Sequence, residues 1–131
     1  MQLQRQEYLY AAVLLAALTV TSAASAMSVS FSWKGIANCS TSSPAFTLGA
    51  VPNGTTQLDF KMVDTDLPDY PHGGGKVAYV KGSQIPAASF SYTGPCPPAL
   101  VTHNYQWTVK ALDVGGKVLA TATASRPYPP R

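Results

Sequence analysis

The chain has 131 residues, 46% of them hydrophobic and only 11% charged, with nine Lys and Arg against six Asp and Glu for a net charge of +3. That length bounds it to one folded domain. The dispersed Lys34, Lys61, Lys76, Lys81, Lys110 and Lys117 form no basic stripe of the kind nucleic-acid binding needs, so no nucleic-acid partner is expected.

Residues 1–26 read as a secretory signal peptide. Arg5 supplies the positive charge, Ala11 to Val20 is an unbroken apolar run, and Ala24-Ser25-Ala26 offers the small-x-small cleavage pattern. The alternative is an N-terminal core helix. The apolar run is short for a bilayer span, so no stable membrane span is expected after processing. The mature domain is then residues 27–131, periplasmic or secreted. Glu7 is the only glutamate, which leaves carboxylate chemistry in that domain to Asp59, Asp64, Asp66, Asp69 and Asp113.

The rest reads as strands. In Val29-Ser30-Phe31-Ser32-Trp33 large apolar residues alternate with serines, the pattern of a half-buried strand. Ala45 to Leu48 is a second candidate, and Pro52-Asn53-Gly54-Thr55 a turn. Leu58, Phe60 and Met62 alternate with Asp59 and Lys61. Val77 to Val80 and Ser89 to Tyr92 are short further strands. From His103 to Lys110 one face carries His103, Tyr105, Trp107 and Val109, the other Asn104, Gln106, Thr108 and Lys110. Gly115-Gly116 turns into a last strand, Lys117 to Thr123, before an extended Pro-rich tail, Arg126 to Arg131. No segment after residue 26 keeps a helical period. Short strands with Gly and Pro punctuation predict an antiparallel β-sandwich or β-roll.

Cys39 and Cys96 are the only cysteines. An even pair in an exported chain reads as a disulfide; two buried free thiols are the alternative. Neither has a second cysteine at metal-site spacing.

Three segments could carry chemistry. In Asp64-Thr65-Asp66-Leu67-Pro68-Asp69-Tyr70-Pro71-His72-Gly73-Gly74-Gly75, a strand continued past Met62 puts Asp64 and Asp66 on the apolar side. They would form a polar pocket floor or accept N–H groups within the turn, as Asp commonly does. Gly94-Pro95-Cys96-Pro97-Pro98 is a stiff loop with few N–H donors. His103 opens its strand beside that loop, where an imidazole can donate to a phosphate oxygen.

These segments resemble the phosphatidylethanolamine-binding protein family in its short bacterial form. Asp64-Thr65-Asp66-Leu67-Pro68 is similar to its Asp-Pro-Asp-x-Pro signature, and Ser43-Pro44-Ala45 and Ile85-Pro86 to its Ser-Pro-Ala and Ile-Pro segments. Gly94-Pro95-Cys96-Pro97-Pro98 with His103-Asn104-Tyr105 is similar to its Gly-Pro-x-Pro-Pro and His-Arg-Tyr segment. The resemblance implies a β-sandwich with a small anion pocket lined by Asp64, Asp66, Pro68, Tyr70, Pro95 and His103, with Tyr105 of the same motif and His72 of the glycine loop as further members. It implies a small anionic or phospho-headgroup ligand, or else a protein target, and no cofactor or metal. Thr65 stands where the family has Pro, and Asn104 where it has Arg, which removes a fixed positive charge. The family's His-Trp pair and C-terminal helix have no counterpart here.

An enzyme is the weaker expectation. His72-Gly73-Gly74-Gly75 matches an esterase oxyanion loop, but no G-x-S-x-G follows. Asp64 and Asp66 on one strand face would lie roughly 7 Å apart, which suits a glycosidase pair, but no sugar-binding aromatic stripe accompanies them. Asp64, Asp66, His72 and His103 could ligate a divalent metal, although Pro68 breaks the calcium-loop pattern. A non-catalytic binding protein is expected.

Overall fold

A computed structural model describes residues 17–20 and 25–131. The anticipated signal helix lies outside the described residues, apart from 17–20 and 25–26. Leu18 and Val20 there are exposed. No described residue is helical.

Seven strands follow: β1 Ser28–Phe31, β2 Phe46–Gly49, β3 Gln57–Asp64, β4 Gly74–Ala78, β5 Gln84–Ile85, β6 His103–Leu112 and β7 Val118–Tyr128. They form two sheets, ordered β1-β2-β5 and β4-β3-β6-β7, and every pairing is antiparallel.

Period-two patterning is what makes the sandwich. Along β3, Leu58, Phe60, Met62 and Asp64 are buried while Gln57, Asp59, Lys61 and Val63 face outward to varying degrees. Tyr105, Trp107, Val109 and Ala111 do the same along β6. The sheets meet through aromatic rings. Phe46 of the smaller sheet lies 4.7 Å from Phe60 and 5.1 Å from Trp107 of the larger, centroid to centroid. Burying each such side chain stabilises the fold by about 1.5–3 kcal/mol.

One expected strand is absent, one strand was not anticipated, and the last runs further than expected. Ser89 to Tyr92 is not a strand; Ser91 makes a single bridge to Ser42. Phe90 and Tyr92 do join the core, so the alternation is real. The ladder stops because the Phe90 N–H donates to the Ser43 hydroxyl rather than to a carbonyl, and Pro44, next in line, has no N–H to give. The two-residue β5, beside Phe46, was below the length at which a pattern shows. The Pro-rich tail is not free of the sheet either: β7 continues to Tyr128, with Pro127 opposite Asn104. Proline is tolerated there because β7 is an edge strand.

The expected disulfide is present between Cys39 and Cys96, with Cα atoms 4.4 Å apart. It ties the loop after β1 to the loop before β6, and the Cys39 N–H donates to the Pro95 carbonyl at 2.8 Å. Gly94 lets the two backbones touch: a Cβ there would lie 1.6 Å from the Ser40 carbonyl oxygen. The proline loop is thereby held at the end of the sandwich where β3 finishes and β6 begins.

Candidate functional site

Antiparallel pairing places Asp64, last in β3, opposite Tyr105 near the start of β6. His103, Asp64 and Tyr105 therefore share one end of the larger sheet. The strand does not run on to Asp66 as the sequence pattern suggested. Asp64 closes a turn, accepting the N–H groups of Asp66 and Leu67 on Oδ1 at 2.9 and 3.2 Å. Its other oxygen meets His103 Nδ1 at 2.5 Å. The two sequence readings of Asp64, turn acceptor and pocket group, hold at once, one on each oxygen.

His72 is buried, with Nδ1 donating to the Thr93 carbonyl at 2.6 Å. The Thr93 N–H returns a bond to the His72 carbonyl at 2.9 Å, which fastens the glycine loop to the proline loop. A carbonyl only accepts, so His72 Nδ1 carries the proton and Nε2 is its free nitrogen. The His72 ring stands 4.8 Å from that of Tyr70 and 5.5 Å, edge-on, from that of Tyr105.

Asp64, Tyr70, His72, His103 and Tyr105 surround one cavity of about 260 Å³, together with Leu67, Cys96 and Pro98. Burial, followed by the nearby Asp64 carboxylate, pushes the Tyr105 phenol up to about 12, against the Cys96 N–H, which favours the phenolate. Tyr105 is thus a neutral hydroxyl in the cavity wall.

Three residues expected in the pocket are not in its lining. Asp66 is exposed and accepts the Asn104 backbone N–H at 2.6 Å, because the chain has already turned. It does not converge with Asp64 as a glycosidase pair would. Pro68 is exposed on the same turn. Pro95 is fully buried and does not line the cavity. Leu67, Cys96 and Pro98 were missed as lining although each stands inside one of the two motif segments, which was the signal the sequence offered. Among the described residues no group of three or more His, Cys, Asp or Glu is placed to hold a metal.

A larger cavity of about 560 Å³ lies on the outer face of the four-stranded sheet, beside Asp59, Lys61, Lys76 and Lys110. It is an open trough with exposed lysines on its walls. The smaller cavity, with a buried carboxylate paired to a partly exposed imidazole in its lining, is the better-built site.

No family model matches this chain, and no curated protein does. Several solved structures are similar to it, among them the following two. Escherichia coli YbcL, described as a new member of the mammalian PEBP family, superposes with a TM-score of 0.54 at 20% identity, over 67% of this chain and 80% of its own. CT736 of Chlamydia trachomatis, described as a phosphatidylethanolamine-binding protein (PEBP) homolog, gives a TM-score of 0.56 at 19% identity, over 81% of this chain and 99% of its own. The chain has a PEBP-like β-sandwich fold.

Proposed function

We propose that this chain is an exported, non-catalytic binding protein that holds a small anion, such as a phosphate headgroup, in the cavity between Asp64, His103 and Tyr105. The observation that carries the reading is the contact between His103 Nδ1 and Asp64 Oδ2 at 2.5 Å. It commits Nδ1 to the carboxylate and leaves Nε2 as the nitrogen a ligand can use. In the imidazolium form Nε2–H donates to an oxyanion, while Asp64 balances the charge.

The surroundings suit a headgroup. A few polar groups converge among apolar walls from Leu67, Tyr70 and Pro98, the usual make-up of a small-molecule site. The lining holds no serine or threonine, and the Cys96 sulfur is locked in a disulfide, which supports binding over nucleophilic catalysis. Export is supported by the signal pattern, by the disulfide and by Leu18 and Val20 standing off the core. Among the described residues no helix is long and apolar enough to cross a membrane.

A second reading rests on the rim. Leu67 and Tyr70 are about half exposed, and Leu100 and Val101, just before His103, are exposed too. Half-exposed apolar lining at Leu67 and Tyr70, with two more exposed apolar residues preceding His103 in the chain, suits a protein target.

Titration of the ¹⁵N-labelled protein with phosphate and with phosphoethanolamine tests the first reading. Saturable amide shifts should cluster at residues 64–75 and 94–105. A response that never saturates, or that centres elsewhere, removes this cavity as the ligand site.

A further inference from the structure

His72 fastens two loops with one ring nitrogen and leaves the other to the cavity. The residue is 5% exposed, and its Nδ1 is committed to the Thr93 carbonyl at 2.6 Å. The ring lines the cavity beside Asp64, His103 and Tyr105. Nε2 has no hydrogen-bond partner among the described residues, yet unlike the Nε1 atoms of Trp33 and Trp107 it is not sealed from solvent. The space it opens on is the cavity it lines. With the proton on Nδ1, a neutral imidazole presents a lone pair there.

That lone pair sets a condition on whatever fills the cavity. His103 Nε2–H donates in the imidazolium form, and the Tyr70 and Tyr105 hydroxyls can turn either way. His72 Nε2 and the Asp64 carboxylate only accept. We infer that His72 Nε2 makes the cavity selective for an oxyanion that carries its own hydrogen, so that it takes phosphate and rejects sulfate. The inference rests on the phosphate reading of this same cavity. At neutral pH phosphate is a mixture of monoanion and dianion, and both keep a P–OH. That hydrogen can go to His72 Nε2 while an unprotonated oxygen accepts from His103. Sulfate has no hydrogen to give, so one of its oxygens would set lone pair against lone pair. The phosphate dianion and sulfate share charge and tetrahedral shape, which leaves the hydrogen as the feature that separates them. A site with a buried polar group rejects the ligand that leaves that group unpaired.

The test titrates sodium phosphate and sodium sulfate, at equal ionic strength and neutral pH, into ¹⁵N-labelled protein. Phosphate should bind at least about tenfold more tightly than sulfate, with amide shifts at residues 64–75 and 94–105. The unprotonated His72 Nε2 signal should move upfield with phosphate, as it does on accepting a hydrogen bond, and stay in place with sulfate. His72→Asn keeps an amide to donate to the Thr93 carbonyl but does not reach as far as Nε2, and it should bring the affinity ratio close to unity. Should that variant misfold, the ratio and the Nε2 signal of the parent protein decide the matter. Equal binding of the two anions, a protonated Nε2, or a ratio unchanged in folded His72→Asn overturns the selectivity and leaves the phosphate site standing. Failure of both anions to bind at the cavity removes the site and the selectivity with it.

Discussion

Asp64 Oδ2 lies 2.5 Å from His103 Nδ1 across 39 residues of chain. A carboxylate that already accepts two turn N–H groups on its other oxygen acts as an acceptor here too, so the imidazole proton sits on Nδ1. Asp64→Asn offers an amide N–H₂ in its place and should turn the neutral ring over to the Nε2–H tautomer. Imidazole ¹⁵N shifts report this directly; an unchanged tautomer would contradict the assignment. His103→Ala should abolish the phosphate response around Asp64. It should also cost about 1–3 kcal/mol in denaturant unfolding, because it strands a buried carboxylate.

The phenol of Tyr105 makes stability pH-dependent at the alkaline end. Burial and Asp64 push it up to about 12 in the folded chain, against about 10 for an unfolded tyrosine. Between those values the unfolded state releases a proton that the native state keeps, so the unfolded state is favoured as pH rises. Stability conferred by the neutral phenol is complete below pH ~10 and falls away toward ~12. Denaturant midpoints measured across this window should decline in the parent protein and decline less in Tyr105→Phe. Parallel declines would show that neither burial nor Asp64 raises the Tyr105 phenol.

The Cys39–Cys96 bridge links stability to the cavity. It closes a loop with a sequence separation of 57, for which chain entropy gives roughly 4 kcal/mol. Replacing both cysteines by serine should therefore lower unfolding free energy by about 2–5 kcal/mol. Because Cys96 and Pro98 border the cavity, phosphate affinity should fall as well, even under conditions where the variant stays folded. Unaltered affinity in folded double variant would mean that the loop holds its place without the bridge.

Much of the fold was legible because β3 and β6 bury one face each, and strict alternation from Leu58 to Asp64 and from His103 to Ala111 exposes that directly. Ser89 to Tyr92 misled because its alternation records core packing, whereas strand formation turns on partner N–H groups that Pro44 cannot supply. At the site, the convergence of Asp64 with His103 followed from motifs in the right order. The fate of Asp66 was hidden, since one turn at Thr65 decides its side. The two departures from the family pattern also proved to be partners. Both the N–H and the hydroxyl of Thr65 donate to the Asn104 carbonyl, at 2.8 and 3.0 Å, and Asn104 donates in turn to Asp66. A proline at 65 would forfeit both donors. The side chain at 104 lies on Asp66 rather than in the cavity lining, so losing an arginine there matters less to the pocket than the sequence suggested.

Gly94 offers a stringent check on how the proline loop is seated. A Cβ at this position would meet the Ser40 carbonyl oxygen at 1.6 Å, and backbone on both sides cannot swing aside as a side-chain end can. Gly94→Ala must push the loop off Ser40, straining the Cys39 N–H bond to Pro95 and the adjoining disulfide. The expected loss is about 2–4 kcal/mol, in the range of overpacked or strained sites. Gly115→Ala is the matched control: the nearest atom to its Cβ is Asp113 Oδ1 at 3.4 Å, on a half-buried side chain at ordinary contact distance, so its cost should stay near the ~1 kcal/mol or less of a surface change. Thermal or urea unfolding of the pair decides the matter. Equal costs would mean that the loop is not pressed against Ser40, and the cavity wall built on Cys96 and Pro98 would lose its support.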